Sequence, residues 1–304
     1  MTVIIPALNE EQTIAQVVTD VRQVMDECRI DYEVLVVDDG SGDDTGVLAR
    51  EAGARVIRHA YNMGNGAAVK TGIRNASGDV TVLMDGDGQH DAHDIPRLLA
   101  EIECYGMVVG ARSSDSRTQW HRDWANMGYN LLASYVCGRR VPDLTSGFRA
   151  IHTSLARRFV YLLPNSFSYP TTITLAMFHA AHCVKYVPIR ASARVGKSKI
   201  KPLSDGVRFL VIIFRIATLF SPLKVFLPIS VCISGLGVFW YLFTLITYGF
   251  KMPPASVIMI LSGVLFFLMG LISEQIAQLR FDRSESFSPS VTDPVQAERG
   301  DSKE

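Results

Sequence analysis

Apolar and polar positions alternate in blocks along the first part of the chain. Val3-Ile4-Ile5 forms a short apolar run, and Ile14, Val17, Val18, Val21 and Val24 then recur at the spacing of one helix face. A second strand-like run spans Glu33 to Val37. A short helix from Thr45 to Ala52, a strand at Arg55 to Arg58, a helix from Ala67 to Asn75 and the strand Val80 to Met84 continue the rhythm. A helix from Ile95 to Ile102 and a strand at Met107 to Val109 follow. This alternation predicts an α/β fold built on an open, mostly parallel sheet.

Beyond residue 110 the period weakens. A helix is predicted over Ala125–Val136, a loop at Ser146-Gly147-Phe148-Arg149, helices near 154–163 and 170–181, and a last strand over Val184–Ile189. The stretch Val207–Phe220 is apolar but broken by Arg208 and Arg215, so it reads as an interfacial helix, with an amphipathic core helix as the alternative. From Val225 to Phe250, and again from Met252 to Ser273, no residue carries a charge, whereas ~20 apolar residues suffice to cross a bilayer. Core helices of globular domains carry a polar face, which these runs lack. Only Lys251, Pro253 and Pro254 interrupt them, so a tight hairpin is expected, with both outer ends on one side. Lys224, Arg280 and Arg283 lie at that side against Lys251 at the other, which favours the cytoplasm. The opening residues lack the pattern of a signal peptide, in keeping with that side. The expected division is a cytoplasmic globular domain over 1–200, an interfacial juxtamembrane helix over 203–224, transmembrane helices at about 225–250 and 254–274 within 225–275, and a disordered cytoplasmic tail over 280–304.

Composition agrees. In 304 residues, 48% are hydrophobic and the mean hydropathy is +0.18, an excess concentrated in the C-terminal runs. Lys plus Arg and Asp plus Glu number 30 each and are dispersed, which gives no nucleic-acid surface. Cys28, Cys104, Cys137, Cys183 and Cys232 show no paired spacing, which suits a reducing compartment and argues against zinc or a disulfide framework.

In open parallel sheets ligands bind beyond the carboxyl ends of the strands, and the polar motifs fall there. Pro6-Ala7-Leu8-Asn9-Glu10 follows the first strand, Asp38-Asp39-Gly40-Ser41 the second, and Asp85-Gly86-Asp87-Gly88-Gln89-His90 the strand from Val80. Asp38 and Asp39 are suited to accept hydrogen bonds from a base or ribose, while Asp85 and Asp87 can converge on a hard cation, Mg2+ or Mn2+. A solvated Asp-Gly turn is the plainer reading of the last motif, and its partners decide against it. Asn62-Met63-Gly64-Asn65-Gly66 precedes a helix whose first amides can face an anion. The first strand lacks a glycine-rich turn, which disfavours a nicotinamide enzyme.

Together these stretches, with Thr145-Ser146-Gly147-Phe148-Arg149 and Gly196-Lys197-Ser198-Lys199, resemble the family-2 inverting glycosyltransferases. Within them the match is to the branch of dolichol-phosphate mannose synthase and bacterial polyprenyl-phosphate glycosyltransferases, over residues 3 to about 200. The resemblance implies a nucleotide-sugar glycosyltransferase A type of fold. It implies that Pro6, Ala7, Asn9, Glu10, Asp38, Asp39, Gly64, Asp85, Gly86 and Arg194 bind the nucleotide diphosphate sugar, Gly86 standing where Ala is usual. Asp85, Asp87 and Gln89 would hold the metal; Arg112, Arg122 and Ser146 would meet the acceptor phosphate; Asp87, Arg122, Arg149 and Lys199 would carry catalysis.

The implied reaction moves one sugar from a UDP- or GDP-linked donor to polyprenyl phosphate with inversion. A phosphate acceptor needs no strong base, whereas a sugar hydroxyl would, and Asp143 is then the candidate. Transfer to another membrane lipid or a glycan hydroxyl is the alternative, and a non-catalytic nucleotide-sugar-binding scaffold a more distant one. Gln119-Trp120-His121-Arg122-Asp123 misses the Gln-x-x-Arg-Trp signature of processive synthases, which disfavours polysaccharide extrusion. His90, His121 and His152 read as structural or surface residues. A homo-oligomer is compatible with the chain, and the sugar, base and exact acceptor are left open.

Overall fold

The computed structural model describes residues 1–112, 130–131, 134–135, 138–165, 169–189, 214, 218, 221–249 and 253–286. The chain divides into two compact units, Met1–Ile216 and Ala217–Glu304.

The first unit runs β1 (Thr2–Ala7), α1 (Ile14–Cys28), β2 (Glu33–Asp38), α2 (Thr45–Glu51), β3 (Arg55–Arg58), α3 (Asn65–Asn75), β4 (Val80–Leu83), α4 (Ile95–Ile102), β5 (Met107–Arg112), β6 (Arg149–His152), α5 (Thr153–Phe159), α6 (Tyr169–His179) and β7 (Val184–Ile189). The seven strands form one sheet in the order β3-β2-β1-β4-β6-β5-β7. All pairings are parallel except those of β6, which is antiparallel to both β4 and β5. The expected helix over 125–136 is described only at residues 130, 131, 134 and 135, which are helical.

The central strands are buried on both faces: Val3, Ile4, Ile5, Leu35, Val36, Val82 and Leu83 are wholly inaccessible. Ile14, Val17, Val18, Val21, Val24 and Met25 of α1 form the apolar stripe seen in the sequence and join the core. On the other face, α3 lies so close to β1 that a Cβ at Gly72 would sit 2.3 Å from Cγ2 of Ile4. Truncating such fully buried aliphatics costs about 2–5 kcal/mol each.

Sequence reading missed β6. Arg149 is expected as the last residue of the 146–149 loop, but Leu83↔Arg149 and Val109↔Arg149 place it in the sheet as the first residue of β6. Because β6 runs backwards, its first residue sits at the edge where β4 and β5 end. Ser146 and Gly147 are thus delivered to the same edge as Asp85 and Arg112.

Among the described residues the second unit contains the helices α7 (Pro222–Tyr248) and α8 (Pro254–Ser286). Both contain segments long and apolar enough to cross a membrane, Pro222–Tyr248 and Pro254–Leu279. Their contact is built on small residues. Oγ of Ser230 donates to the carbonyl of Gly263 (2.8 Å), and Cβ atoms at Gly237, Gly263 and Gly270 would collide with the facing helix. The amide of Leu223, in the first turn of α7, donates to Oε2 of Glu274 on α8 (3.1 Å), which places a carboxylate at the positive end of a helix. Residues 222–224, expected in the interfacial helix, belong to α7. The helix α8 continues through Ser286, past residue 280 where a tail was expected, because neither Gly nor Pro interrupts residues 274–286. The remainder of the expected interfacial helix, apart from residues 214, 218 and 221, lies outside the described residues, as does the tail beyond 286.

Candidate active site

The β1–α1 and β2–α2 loops are bonded into one wall. Asn9 holds φ at 55°, in the left-handed region that Asn tolerates better than most residues. Its amide donates to Oγ of Ser41 (3.0 Å), and its Oδ1 accepts from the amide of Gly42 (2.9 Å). The amide of Glu10 donates to Oγ1 of Thr45 (2.9 Å). Pro6 and Ala7 lie buried at the end of β1, where the Ala7 carbonyl accepts from the Asp39 amide (2.9 Å).

The two aspartates that follow β2 part company. Asp38 is fully buried: its Oδ1 accepts from the Ser41 amide (2.8 Å) and its Oδ2 lies 3.4 Å from Nε of Arg58. That oxygen faces α2, where a Cβ on Gly46 would approach it to 2.7 Å. Asp38, expected to bind the nucleotide, is thus buried and braces its own loop. Asp39 instead accepts three hydrogen bonds, from Nδ1 of His59 (2.7 Å) and the amides of Met63 (2.9 Å) and Gly64 (2.8 Å). Nε2 of His59 continues to Oγ1 of Thr71 on α3 (2.9 Å). The Asn62–Gly66 turn is thereby clamped onto the end of β2. His59 had no signal in the sequence, since nothing marks it as the partner of an aspartate twenty residues earlier.

The third cluster follows β4. Asp85, Asp87 and Gln89 are all partly exposed, and Oδ1 of Asp87 accepts from the Gln89 amide (3.2 Å). Thr13, at the start of α1, donates its hydroxyl to the carbonyl of Gly86 (2.8 Å), tying this loop to the β1 wall. A Cβ at Gly147 would lie 2.7 Å from Oδ2 of Asp85 and 3.1 Å from the Tyr169 hydroxyl, so the carboxylate occupies space that only glycine leaves open. Tyr169 is fully buried; burial, and then the nearby Asp85, push its hydroxyl far above the usual range and keep it protonated.

Two carboxylates and an amide oxygen are the hard donor set that Mg2+ or Mn2+ prefers, and a half-open strand end leaves coordination positions for other oxygens. Among the described residues no group of three or more His, Cys, Asp and Glu side chains could hold a metal, so a cation here would rely on Asp85, Asp87 and Gln89. The residues present fit the metal.

Arg149, expected to carry catalysis, is a buried side chain. It is fully buried beneath the site, where its guanidinium donates to the carbonyls of Pro170 (3.0 Å) and Ser146 and to Oγ1 of Thr174 (3.1 Å). Burial lowers its pKa, offset in part by Tyr169, Tyr186, Asp143 and Asp85. Ser146 is likewise buried, its hydroxyl donating to the Gly110 carbonyl (2.6 Å). Arg112 reaches Asp143 through Nε (2.9 Å) and a terminal nitrogen (3.1 Å), and donates to Oγ1 of Thr145 (2.6 Å). Asp143 also accepts from the amides of Thr145 and Ser146 (3.1 Å each). Burial alone would raise the Asp143 carboxyl, but the Arg112 guanidinium and the amides of Arg112 and Thr145 outweigh it and hold the carboxyl below the usual range. Asp143, the candidate base for a hydroxyl acceptor, is thus engaged through both of its oxygens by Arg112. Arg122, Arg194 and Lys199 lie outside the described residues.

A mostly parallel sheet with acidic loops gathered at its carboxyl edge defines a ligand-binding α/β enzyme fold. Residues 2–160 match the model of glycosyl transferase family 2, and residues 221–279 match the GtrB C-terminal hairpin. The chain belongs to glycosyl transferase family 2 and is a glycosyltransferase. It is 27% identical over 309 residues to an undecaprenyl-phosphate 4-deoxy-4-formamido-L-arabinose transferase of Pseudomonas fluorescens Pf0-1, covering 93% of this chain and 86% of that protein. The protein of the same name from Proteus mirabilis HI4320 is 28% identical over 195 residues, 59% of this chain and 60% of that one. Glucosyl-3-phosphoglycerate synthase of Mycobacterium tuberculosis, solved with Mn2+ and UDP-glucose, shares the fold at a TM-score of 0.57 and 23% identity, covering 71% of this chain and 78% of that one.

Proposed function

We propose that the chain transfers one sugar, with inversion, from a UDP- or GDP-linked donor to a polyprenyl phosphate at the membrane surface. The observation that carries this reading is the state of Asp143. The Asp143 carboxylate is already bonded through both oxygens to Arg112 and through Oδ1 to the amides of Thr145 and Ser146. An acceptor that arrives with its own anionic oxygen suits such a site, whereas a hydroxyl would need a base. The names of the relatives, undecaprenyl-phosphate transferases, point the same way.

In this reading Pro6, Ala7, Asn9, Glu10 and Asp39 line the nucleoside pocket, with Gly64 at its rim. Asp85, Asp87 and Gln89 would hold Mg2+ or Mn2+, whose chemistry there is to neutralise the donor diphosphate and the leaving group. Arg112 orients the acceptor phosphate through its fixed guanidinium, and Arg149 acts as a positioning residue by holding the Ser146 carbonyl and α6 together. Arg122, Arg194 and Lys199 are assigned to the acceptor phosphate and the diphosphate by family resemblance. The acceptor oxygen forms the new bond to the anomeric carbon as the bond to the diphosphate breaks, and no proton has to move. The catalytic unit and both outer helix ends face the cytoplasm, as the flanking Lys224, Arg280 and Arg283 favour.

Membranes carrying the chain, given labelled UDP- and GDP-sugars with undecaprenyl phosphate, should yield an organic-soluble product that releases its sugar in mild acid. Asp87→Ala should abolish that product at every concentration of added Mg2+ or Mn2+. Near wild-type turnover in this variant would refute the metal assignment.

A further inference from the structure

The turn that carries Asp85, Asp87 and Gln89 rests at both ends on one pair of neighbours, Gly147 and Phe148. At its start, the Asp85 carboxylate takes the space that a Cβ on Gly147 would need, 2.7 Å from Oδ2. At its far end, the residue after Gln89 is His90, whose imidazole lies flat on the Phe148 ring. The centroids are 5.1 Å apart and the planes 19° apart, the spacing of a stacked aromatic pair. Between the two ends Gly88 holds φ at 72°, where glycine turns the chain at least cost.

The Phe148 side of the stack is fixed. Phe148 is wholly buried, its carbonyl accepts from the Gly110 amide on β5 (2.9 Å), and a Cβ at Gly110 would come within 2.9 Å of Cδ1 of the ring. His90 is partly exposed, and its Nδ1 is buried with no hydrogen-bond partner. The imidazole is therefore located by its face and not by a bond through Nδ1. A buried nitrogen left unpaired costs stability, so a ring without one should sit there at least as well.

We infer that His90 is a positioning residue for the cation: by stacking on Phe148 it fixes the far side of the metal turn and holds the backbone of Asp87 and Gln89 in place before a cation arrives; the inference rests on the metal assignment above. Gln89 precedes the stacked residue directly, and its amide donates to Oδ1 of Asp87 (3.2 Å), so a release of the His90 ring is passed to both expected ligands. A hard cation binds well only where its oxygens are already at the required spacing, and groups that orient metal ligands from behind contribute to affinity without touching the metal. The same stack ties the turn to the segment that enters β6 and, through Gly110, to β5.

The test titrates the full chain in detergent with Mn2+ alone and reads the free ion by electron paramagnetic resonance. His90→Ala should weaken Mn2+ binding about tenfold, the lower end of the loss expected when a group that orients metal ligands is removed. His90→Phe should bind Mn2+ as wild type does and melt no lower than wild type. In a Phe148→Leu background, His90→Ala should cost no further Mn2+ affinity, because the face it rests on is gone. A His90→Ala variant that melts lower yet keeps its Mn2+ affinity would overturn the inference and leave His90 a packing residue. Equal losses in His90→Phe and His90→Ala would overturn it as well, by assigning the effect to a ring nitrogen. A wild-type chain that takes up no Mn2+ would overturn the metal assignment and this inference with it, whereas transfer to polyprenyl phosphate would be decided separately by the labelled product.

Discussion

Adjacent residues at a strand end point to opposite faces of the sheet, and Asp38 and Asp39 show what that does to a pair of carboxylates. One turns toward Arg58 and α2, the other toward His59 and the Met63–Gly64 amides. The pair is legible in the sequence as a polar strand end, and the period of two along a strand turns its members to opposite faces. His59, by contrast, takes its role from a tertiary contact. His59→Ala would leave buried Asp39 and Thr71 short of a partner, at about 1–3 kcal/mol. Calorimetry should show weaker binding of the nucleotide diphosphate together with a lower melting temperature, and unchanged nucleotide affinity would contradict the clamp. Acid titration reads another pair of residues. Burial would raise the Glu33 carboxyl, but hydrogen bonds from Ser77, Thr2 and Arg55 hold it at about 2, while Asp143 is likewise depressed. Both carboxyls ionise more readily when folded. Their stabilisation is therefore present above an unfolded value of about 4 and drains away as pH falls toward about 2. Denaturant midpoints followed over that window should fall less steeply for Glu33→Gln than for wild type.

At the scale of elements, the helices and the apolar strands followed from their periods, and β6 did not. Four residues framed by Arg149 and His152 carry no strand pattern; in the sheet, Arg149 finds the Pro170 carbonyl and Thr174 on α6, an element remote in sequence. That antiparallel strand is what puts Gly147 against Asp85. The backbone of Gly147 does not occupy the left-handed region, so alanine there meets only the steric conflict with Asp85 Oδ2. Gly147→Ala should leave the circular dichroism spectrum intact and lower turnover by roughly a hundredfold, the scale at which misplacing a reacting group by about 1 Å is felt. Full activity would mean that Asp85 is not held where the account needs it.

At the scale of the whole molecule, the hairpin was the plainest feature of the sequence, because charge-free runs of that length have few other uses. Its packing was not legible: Ser230, Ser234, Gly237, Gly263 and Gly270 look unremarkable until the two helices are brought together. A Cβ at Gly263 would approach Ser234 Oγ to 2.0 Å, so Gly263→Leu should open the hairpin and lower the melting temperature in detergent, whereas Gly235→Leu, at a position with nothing within 4 Å, should not.

The central claim is that the acceptor supplies an ionised phosphate oxygen to a site whose candidate base, Asp143, is already bonded to Arg112. Transfer of label from the preferred nucleotide sugar should therefore be compared, in the same membranes, between a polyprenyl phosphate and the corresponding polyprenol. The account predicts label in the phosphate lipid and none in the alcohol, with turnover retained in Asp143→Asn to the extent that Arg112 stays in place. Comparable label in the alcohol, lost in Asp143→Asn, would contradict it.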